Sequence, residues 1–391
     1  MTGWLSLVRP GDLVVVAQGV GEPTPLLTRL LEAAPDGVEV FVGLSHSDAL
    51  TGPSRLPLVS FGALGPLGTP PHRGRVEIVP AHFDDLARVL PHRGRDLVVL
   101  LQVAEPDQGG GHSLGMAVDH TYELLGRARA VVAEVNAQLP VTSAPRLPRS
   151  AFDACVPSSR PLPVVAAPEI DDAQRRVAER VAALVPDGAT LQLGLGALAT
   201  AIGGALGGHR DLAVRSTLAG DWLLELVRAG ALLPERAVIC EAAGSAELYK
   251  LVTASDIAIR PVPDVAHVDV ERFVAVNSAL QVDLSGQVNA EELPAGHLGA
   301  IGGQAEYLRA AQRSPGGCAV VALPATAGRH SRIVPRLDPA TVTTARSGVD
   351  VVVTEHGHAD LRGRGLRERA ESLIAVAAPE HRAALREGLR R

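Results

Sequence analysis

The feature that most constrains the fold is a pattern that occurs twice. Residues 10–34, PGDLVVVAQGVGEPTPLLTRLLEAA, pass from a Pro-Gly turn through an apolar, β-branched run and a Gly-x-Gly turn into a helical pattern. Residues 186–206, PDGATLQLGLGALATAIGGAL, repeat that order. The ends of the two halves also echo each other: AVVAEVN (130–136) and DVVVTEHG (350–357) each read as a buried strand running into an acidic residue and a loop. Strands this continuously apolar have no wet face. The sequence therefore predicts α/β architecture, in two similar open α/β/α domains with mostly parallel sheets covered by helices. Glycine and proline around a strand are common turn chemistry by themselves, but two segments that match in the same order favour a duplication.

The chain of 391 residues exceeds what one ordinary core fills, which fits two domains, here placed at 1–160 and 161–391. The stretch 143–168, SAPRLPRSAFDACVPSSRPLPVVAAPE, is rich in Pro and Ser and reads as a linker. Beyond it, DDAQRRVAERVAALV carries a helical apolar stripe behind an Asp pair suited to N-capping. The C-terminal ESLIAVAAPEHRAALREGLRR reads as two helices interrupted by a proline.

With 46% hydrophobic and 20% charged residues the chain has the material for large cores. Its formal net charge of −6 gives no basic footprint for nucleic acid. Of its 37 basic residues all but Lys250 are arginine, scattered along the chain in the manner of a GC-rich coding sequence. Cys155, Cys240 and Cys318 are far apart with no CxxC spacing, which argues against a zinc site or a disulfide framework and for a reduced, cytoplasmic setting. The N-terminus MTGWLSLVRPGD lacks the basic and long apolar regions of a signal peptide, and no apolar run approaches a membrane span, so no membrane role is expected.

Gly194 and Gly196 stand between a strand and a helix, where backbone N–H groups meet anions, although GxG alone serves equally as a tight turn. A second cluster, GHLGAIGGQAEYLRAA (296–311), places Gly302 and Gly303 at the start of a helix, where exposed amides suit a developing oxyanion. Upstream, VNSALQVDLSGQ (276–287) supplies Asn277, either a further donor to that oxyanion or an amide satisfying loop backbone. His356 and His358 lie two apart in TEHGHAD without a ligand pattern, so no metal is expected.

EPDQGGGHSLGMAVDHT (105–121), EVNAQLPVT (134–142), VNSALQVDLSGQVNAEE (276–292), GAIGGQAEYLRAA (299–311), SRIVP (331–335) and VVVTEHGHADLRGRGLRERAESLIAVAAPEHR (351–382) together resemble the acetyl-CoA hydrolase/transferase family, and within it the 4-hydroxybutyrate CoA-transferase branch. The motifs recur in family order over nearly the whole chain. The resemblance implies two domains of the CoA-transferase type, an acyl-CoA substrate with coenzyme A as its carrier, a small acceptor, and a homodimer or higher homo-oligomer. It also implies a nucleophilic glutamate in the second domain that forms first an anhydride and then a glutamyl-CoA thioester. Asn277 and Gly303 resemble the family's oxyanion donors. Gly194, Gly196, Gly302, Gly303, Gln304, Ser331 and Arg332 fall where the coenzyme is expected to bind.

One position departs from the pattern. In VRSTLAGDW (214–222), Thr217 stands where the family carries its nucleophilic glutamate, and no Glu occurs between Glu179 and Glu225. A threonine hydroxyl forms a stable ester and no anhydride. Three explanations remain open at the level of sequence: another carboxylate substitutes, with Glu241, Glu306 and Glu355 as candidates; water, a hydroxyl or an amine attacks the thioester directly, giving a hydrolase or acyltransferase; or the protein binds an acyl-CoA or a partner without turnover. A missing nucleophile in a GC-rich chain points toward a specialised pathway such as secondary metabolism.

Overall fold

A computed structural model describes residues 3–389, which form two compact units. The first consists of 3–165 together with Val238–Val265 and His297–Gly302, and the second of Ala166–Ala237, Ala266–Gly296 and 303–389. The units are thus not two contiguous halves divided at 160/161. The strand Leu232–Ala242 begins in the second unit and ends in the first, which moves Glu241 out of the domain where the sequence places it.

The first unit is built on a seven-stranded sheet in the order Glu77–Ile78, Leu58–Ser60, Glu39–Phe41, Leu13–Val16, Leu97–Ala104, Ala130–Asn136, Ala154–Ser158, parallel throughout. Every residue of Leu13–Val16 and Leu97–Ala104 is buried, as strands covered on both faces require. Helix Thr24–Ala33 packs Leu26, Leu27 and Leu30 into the core around Val14, Val16, Val40 and Val98. The Pro-rich stretch read as a linker contributes Ala154–Ser158 to the sheet. Pro157 is tolerated because this strand is the sheet's edge, where an N–H is dispensable.

In the second unit Thr190–Leu193 lies between Leu212–Ala219 on one side and Phe273–Asn277 on the other, followed by Cys318–Ala322 and Val351–Thr354. These pairings are parallel, and Gly357–Asp360 closes the edge antiparallel. In both units the first strand sits centrally, its successor on one side and the later strands on the other. This shared order is the structural form of the repeated sequence pattern. Helix Asp172–Ala182 starts at a capping box in which Asp171 accepts the Gln174 N–H and Gln174 accepts the Asp171 N–H. The C-terminal helices are Leu366–Val376 and Arg382–Gly388. Among the described residues no helix is long and apolar enough to cross a membrane.

Candidate active site

In an open parallel sheet, ligands bind beyond the carboxyl ends of the strands where the order reverses. In the second unit that point lies at Thr190–Leu193. Its pairing places Leu191 opposite Val214 and Leu193 opposite Val276, while Asn277 pairs with Val321. Extending the first two registers brings Thr217, Gly194 and Asn277 to one level, and the Ser216 hydroxyl, which donates to the Leu193 carbonyl at 2.7 Å, marks the same alignment. Thr217 and Asn277 flank the central strand, two strand spacings or roughly 10 Å apart.

Both residues are held through their neighbours. The Thr217 backbone N–H donates to the Tyr307 hydroxyl at 2.9 Å. Tyr307 is buried on helix Gln304–Arg313, whose N-cap is Gly303. A Cβ at Gly303 would come within 3.1 Å of the Tyr307 ring. The half-buried Asn277 donates one amide hydrogen to the Gln192 side-chain oxygen at 2.8 Å, which fixes its orientation and leaves its other N–H for a ligand. Gln192 and Tyr307, which hold these two candidate residues, were not singled out by motif reading. Gln192 is the only polar side chain inside the buried run LQL, and Tyr307 falls one helical turn after Gly303.

Gly196 has φ +102°, a conformation an L side chain rarely adopts, and turns the chain from the strand into helix Ala197–Ala205. Alongside, a cavity of about 500 Å³ is lined by Gln174, Leu195, Ser278, Thr326 and Arg332, among others. Burial pulls the Arg332 pKa down from its ordinary value, with the charges of Glu355 and Asp171 opposing. Glu355 also places this arginine. Its Oε2 accepts the Ala325 N–H at 2.7 Å, and the Ala325 carbonyl accepts the Arg332 N–H at 2.8 Å. Its Oε1 lies 3.6 Å from His356 Nε2. Ser331 spends its hydroxyl on the Ile333 carbonyl, and Gln304 donates to Thr344.

Glu241 and Gly302 fall in the first unit. The Gly302 carbonyl accepts the Phe83 N–H, and Glu241 is fully enclosed beside the Gly19 turn. Glu241 Oε1 accepts the Val20 N–H at 2.9 Å, and a Cβ at Gly19, where φ is +59°, would fall 1.7 Å from that oxygen. Burial raises the Glu241 pKa to about 8, so at neutral pH it is a neutral acid wedged under a glycine turn. Glu306 lies in the first turn of Gln304–Arg313. Among the described residues no three His, Cys, Asp or Glu side chains come together to hold a metal ion.

Residues 244–389 match the acetyl-CoA hydrolase/transferase C-terminal domain. The chain is 36% identical to 4-hydroxybutyrate coenzyme A transferase of Clostridium kluyveri over 80% of its own length and 77% of that protein's. It is 32% identical to succinyl-CoA:cyclohexane-1-carboxylate CoA transferase of Geobacter metallireducens, covering 99% of this chain and 93% of the relative. Among solved structures, RipA from Yersinia pestis superimposes with a TM-score of 0.88 at 28% identity, covering 99% of this chain and 96% of RipA.

Proposed function

Since this chain belongs to the acetyl-CoA hydrolase/transferase family and its relatives are CoA-transferases, we propose that it moves CoA between an acyl-CoA and a carboxylate by direct attack of the acceptor, without a glutamyl intermediate. The observation that carries this reading is Thr217. It lies near the carboxyl end of its strand, level with Asn277, while Glu241 is a buried neutral acid wedged beside Gly19 and one oxygen of Glu355 accepts the Ala325 N–H. A threonine is two heavy atoms shorter than a glutamate, and the space that a glutamate carboxylate would take is left for the acceptor's own carboxylate.

In this reading the acyl-CoA carbonyl lies against the Asn277 amide, with the first-turn N–H groups of Gln304–Arg313 as further donors. The CoA arm passes into the cavity where Arg332 meets its anionic groups. The acceptor carboxylate attacks the thioester carbon, a C–O bond forms, and the π electrons move onto the oxygen that Asn277 stabilises. Collapse breaks the C–S bond and expels CoA thiolate from a mixed anhydride. The thiolate then attacks the acceptor-derived carbonyl, forms the new thioester and releases the donor acid as its carboxylate. No net proton is taken up or lost. Holding both reactants together replaces the covalent intermediate by proximity.

Initial rates measured while both substrates are varied test the proposal. Direct attack requires a ternary complex and intersecting double-reciprocal lines. Parallel lines mean that the enzyme itself carries the acyl group or CoA, and free CoA formed without an acceptor means hydrolysis. Either result overturns the proposal.

A further inference from the structure

Strands paired in parallel register send alternate residues to opposite faces of a sheet. With Leu191 opposite Val214 and Gln192 opposite Ala275, one face of the second unit's sheet carries Arg215, Gln192 and Ala275 in one row. The next row, toward the carboxyl ends, is Thr217, Gly194 and Asn277. Two contacts fix this face. Asn277 donates to the Gln192 side chain, and Phe273, on the same side of its strand, packs against the Tyr307 ring with centroids 6.2 Å apart. Helix Gln304–Arg313, which carries Tyr307, therefore covers the same face. Arg215 and Thr217 are half-buried, whereas Val214 and Ser216 point the other way and are buried. Resting on the direct attack proposed above, we infer that Arg215 binds the acceptor's carboxylate in a notch over Gly194, with the Thr217 hydroxyl as a second donor.

Space comes first. Gly194 has no side chain, and a Cβ built there would meet nothing within 4 Å. The middle of the upper row is open, with Thr217 on one flank and Asn277 on the other. Charge follows. A carboxylate that leaves water for such a notch needs a cation and further donors, and Arg215 is the one charged residue in the two rows. It lies two residues behind Thr217, roughly 7 Å along the strand, a distance that an extended arginine side chain spans. Its guanidinium carries five N–H donors, so it can hold a protein partner and a ligand oxygen together. Division of labour is the third point. Asn277 is a neutral donor suited to the thioester oxygen, and the cation stands on the opposite flank of the notch. One acceptor oxygen held by Arg215 and Thr217 leaves the other directed across Gly194 at the thioester carbon. The Thr217 backbone is itself pinned by its N–H bond to Tyr307, which keeps its hydroxyl beside the notch.

The test measures KM separately for butyryl-CoA and for each of three acceptors, acetate, propionate and succinate, reading the new acyl-CoA by mass spectrometry. Arg215→Gln is expected to raise the acceptor KM by about tenfold or more, the worth of a charge-assisted hydrogen bond, and to leave the butyryl-CoA KM within about twofold. Arg215→Lys keeps the charge without the fork and falls between the two; it also serves should the glutamine variant fold poorly. Thr217→Val removes the hydroxyl at constant shape and gives a smaller rise. Guanidinium chloride at millimolar concentration is expected to lower the acceptor KM of Arg215→Ala toward wild type, with sodium chloride as the control, a rescue that an arginine with a merely structural role would not show. An acceptor KM unchanged in Arg215→Gln, or both KM values raised alike, overturns the inference and leaves direct attack to its own test by intersecting lines. Wild-type enzyme that forms a new acyl-CoA with none of the three acceptors overturns both.

Discussion

Replacing Glu241 by glutamine separates a structural carboxylic acid from a substitute nucleophile. Glu241 is enclosed in the first unit with one oxygen on the Val20 N–H, and burial raises its pKa from 4.5 to about 8. Between those values the unfolded chain has released the proton and the folded chain still holds it. The folded state therefore loses stability as pH rises through this window, and the loss is complete once the folded group also ionises near 8. Each pH unit corresponds to about 1.36 kcal/mol, so moving from about pH 5.5 to about pH 7.5 removes roughly 2–3 kcal/mol. The glutamine keeps the shape and the acceptor for Val20 and has no proton to lose. Glu241→Gln is expected to match the wild type near pH 5.5 and to exceed it by that amount near pH 7.5, roughly 4–12 °C in the unfolding midpoint for a unit of this size. Thermal unfolding at both pH values measures the difference, and CoA exchange on the same preparations is expected to stay within about threefold of wild type. A stability difference that does not change with pH would refute the burial argument. A variant that folds and has lost all exchange would place Glu241 in the chemistry.

Asn277→Ala is expected to lower kcat by about two orders of magnitude with little change in KM, because it removes a donor to the charge that develops during attack; steady-state rates with unchanged circular dichroism check this. Arg332→Gln is expected to weaken binding of CoA by about tenfold while leaving turnover of a truncated thioester lacking the phosphates unaltered, since its charge meets only the phosphate-bearing arm; isothermal titration and a pair of rate measurements decide it. Thr217→Glu puts a carboxylate near the carboxyl end of the strand Leu212–Ala219 and is expected to change intersecting initial-rate lines to parallel ones, with a protein-bound CoA adduct seen by intact mass. Gly19→Ala forces a methyl group onto the Glu241 carboxyl at a left-handed turn and is expected to cost about 3 kcal/mol or more, read as a lowered unfolding midpoint.

The duplicated architecture was legible because each unit opens with a strand buried on both faces and a glycine turn, so LVVV and TLQL announce the centres of two parallel sheets. The helix at 172–182 was legible from its capping residues. The interleaving of the units was not, since it depends on where the strand Leu232–Ala242 ends, and no local pattern encodes a strand's destination. The same long-range fact decides Glu241: in sequence it lies near Thr217, and in space it belongs to the turn at Gly19. Ala154–Ser158 was hidden by Pro157, which excludes a central strand but not an edge. Family resemblance singled out Thr217, Asn277, Gly303 and Arg332 as candidates, whereas Gln192 and Tyr307 hold Asn277 and Thr217 through a side-chain bond and a backbone bond that no motif records.

The most direct test of direct attack follows the oxygen atoms through a single turnover with enzyme in excess of acyl-CoA and an acceptor carboxylate labelled at both oxygens with oxygen-18. If the acceptor attacks the thioester itself, one labelled oxygen stays in the anhydride bridge and leaves with the donor acid, so the released acid carries one oxygen-18. Release of unlabelled donor acid, with the label found on the protein or in neither product, would contradict the account and assign the first attack to an enzyme carboxylate or to water.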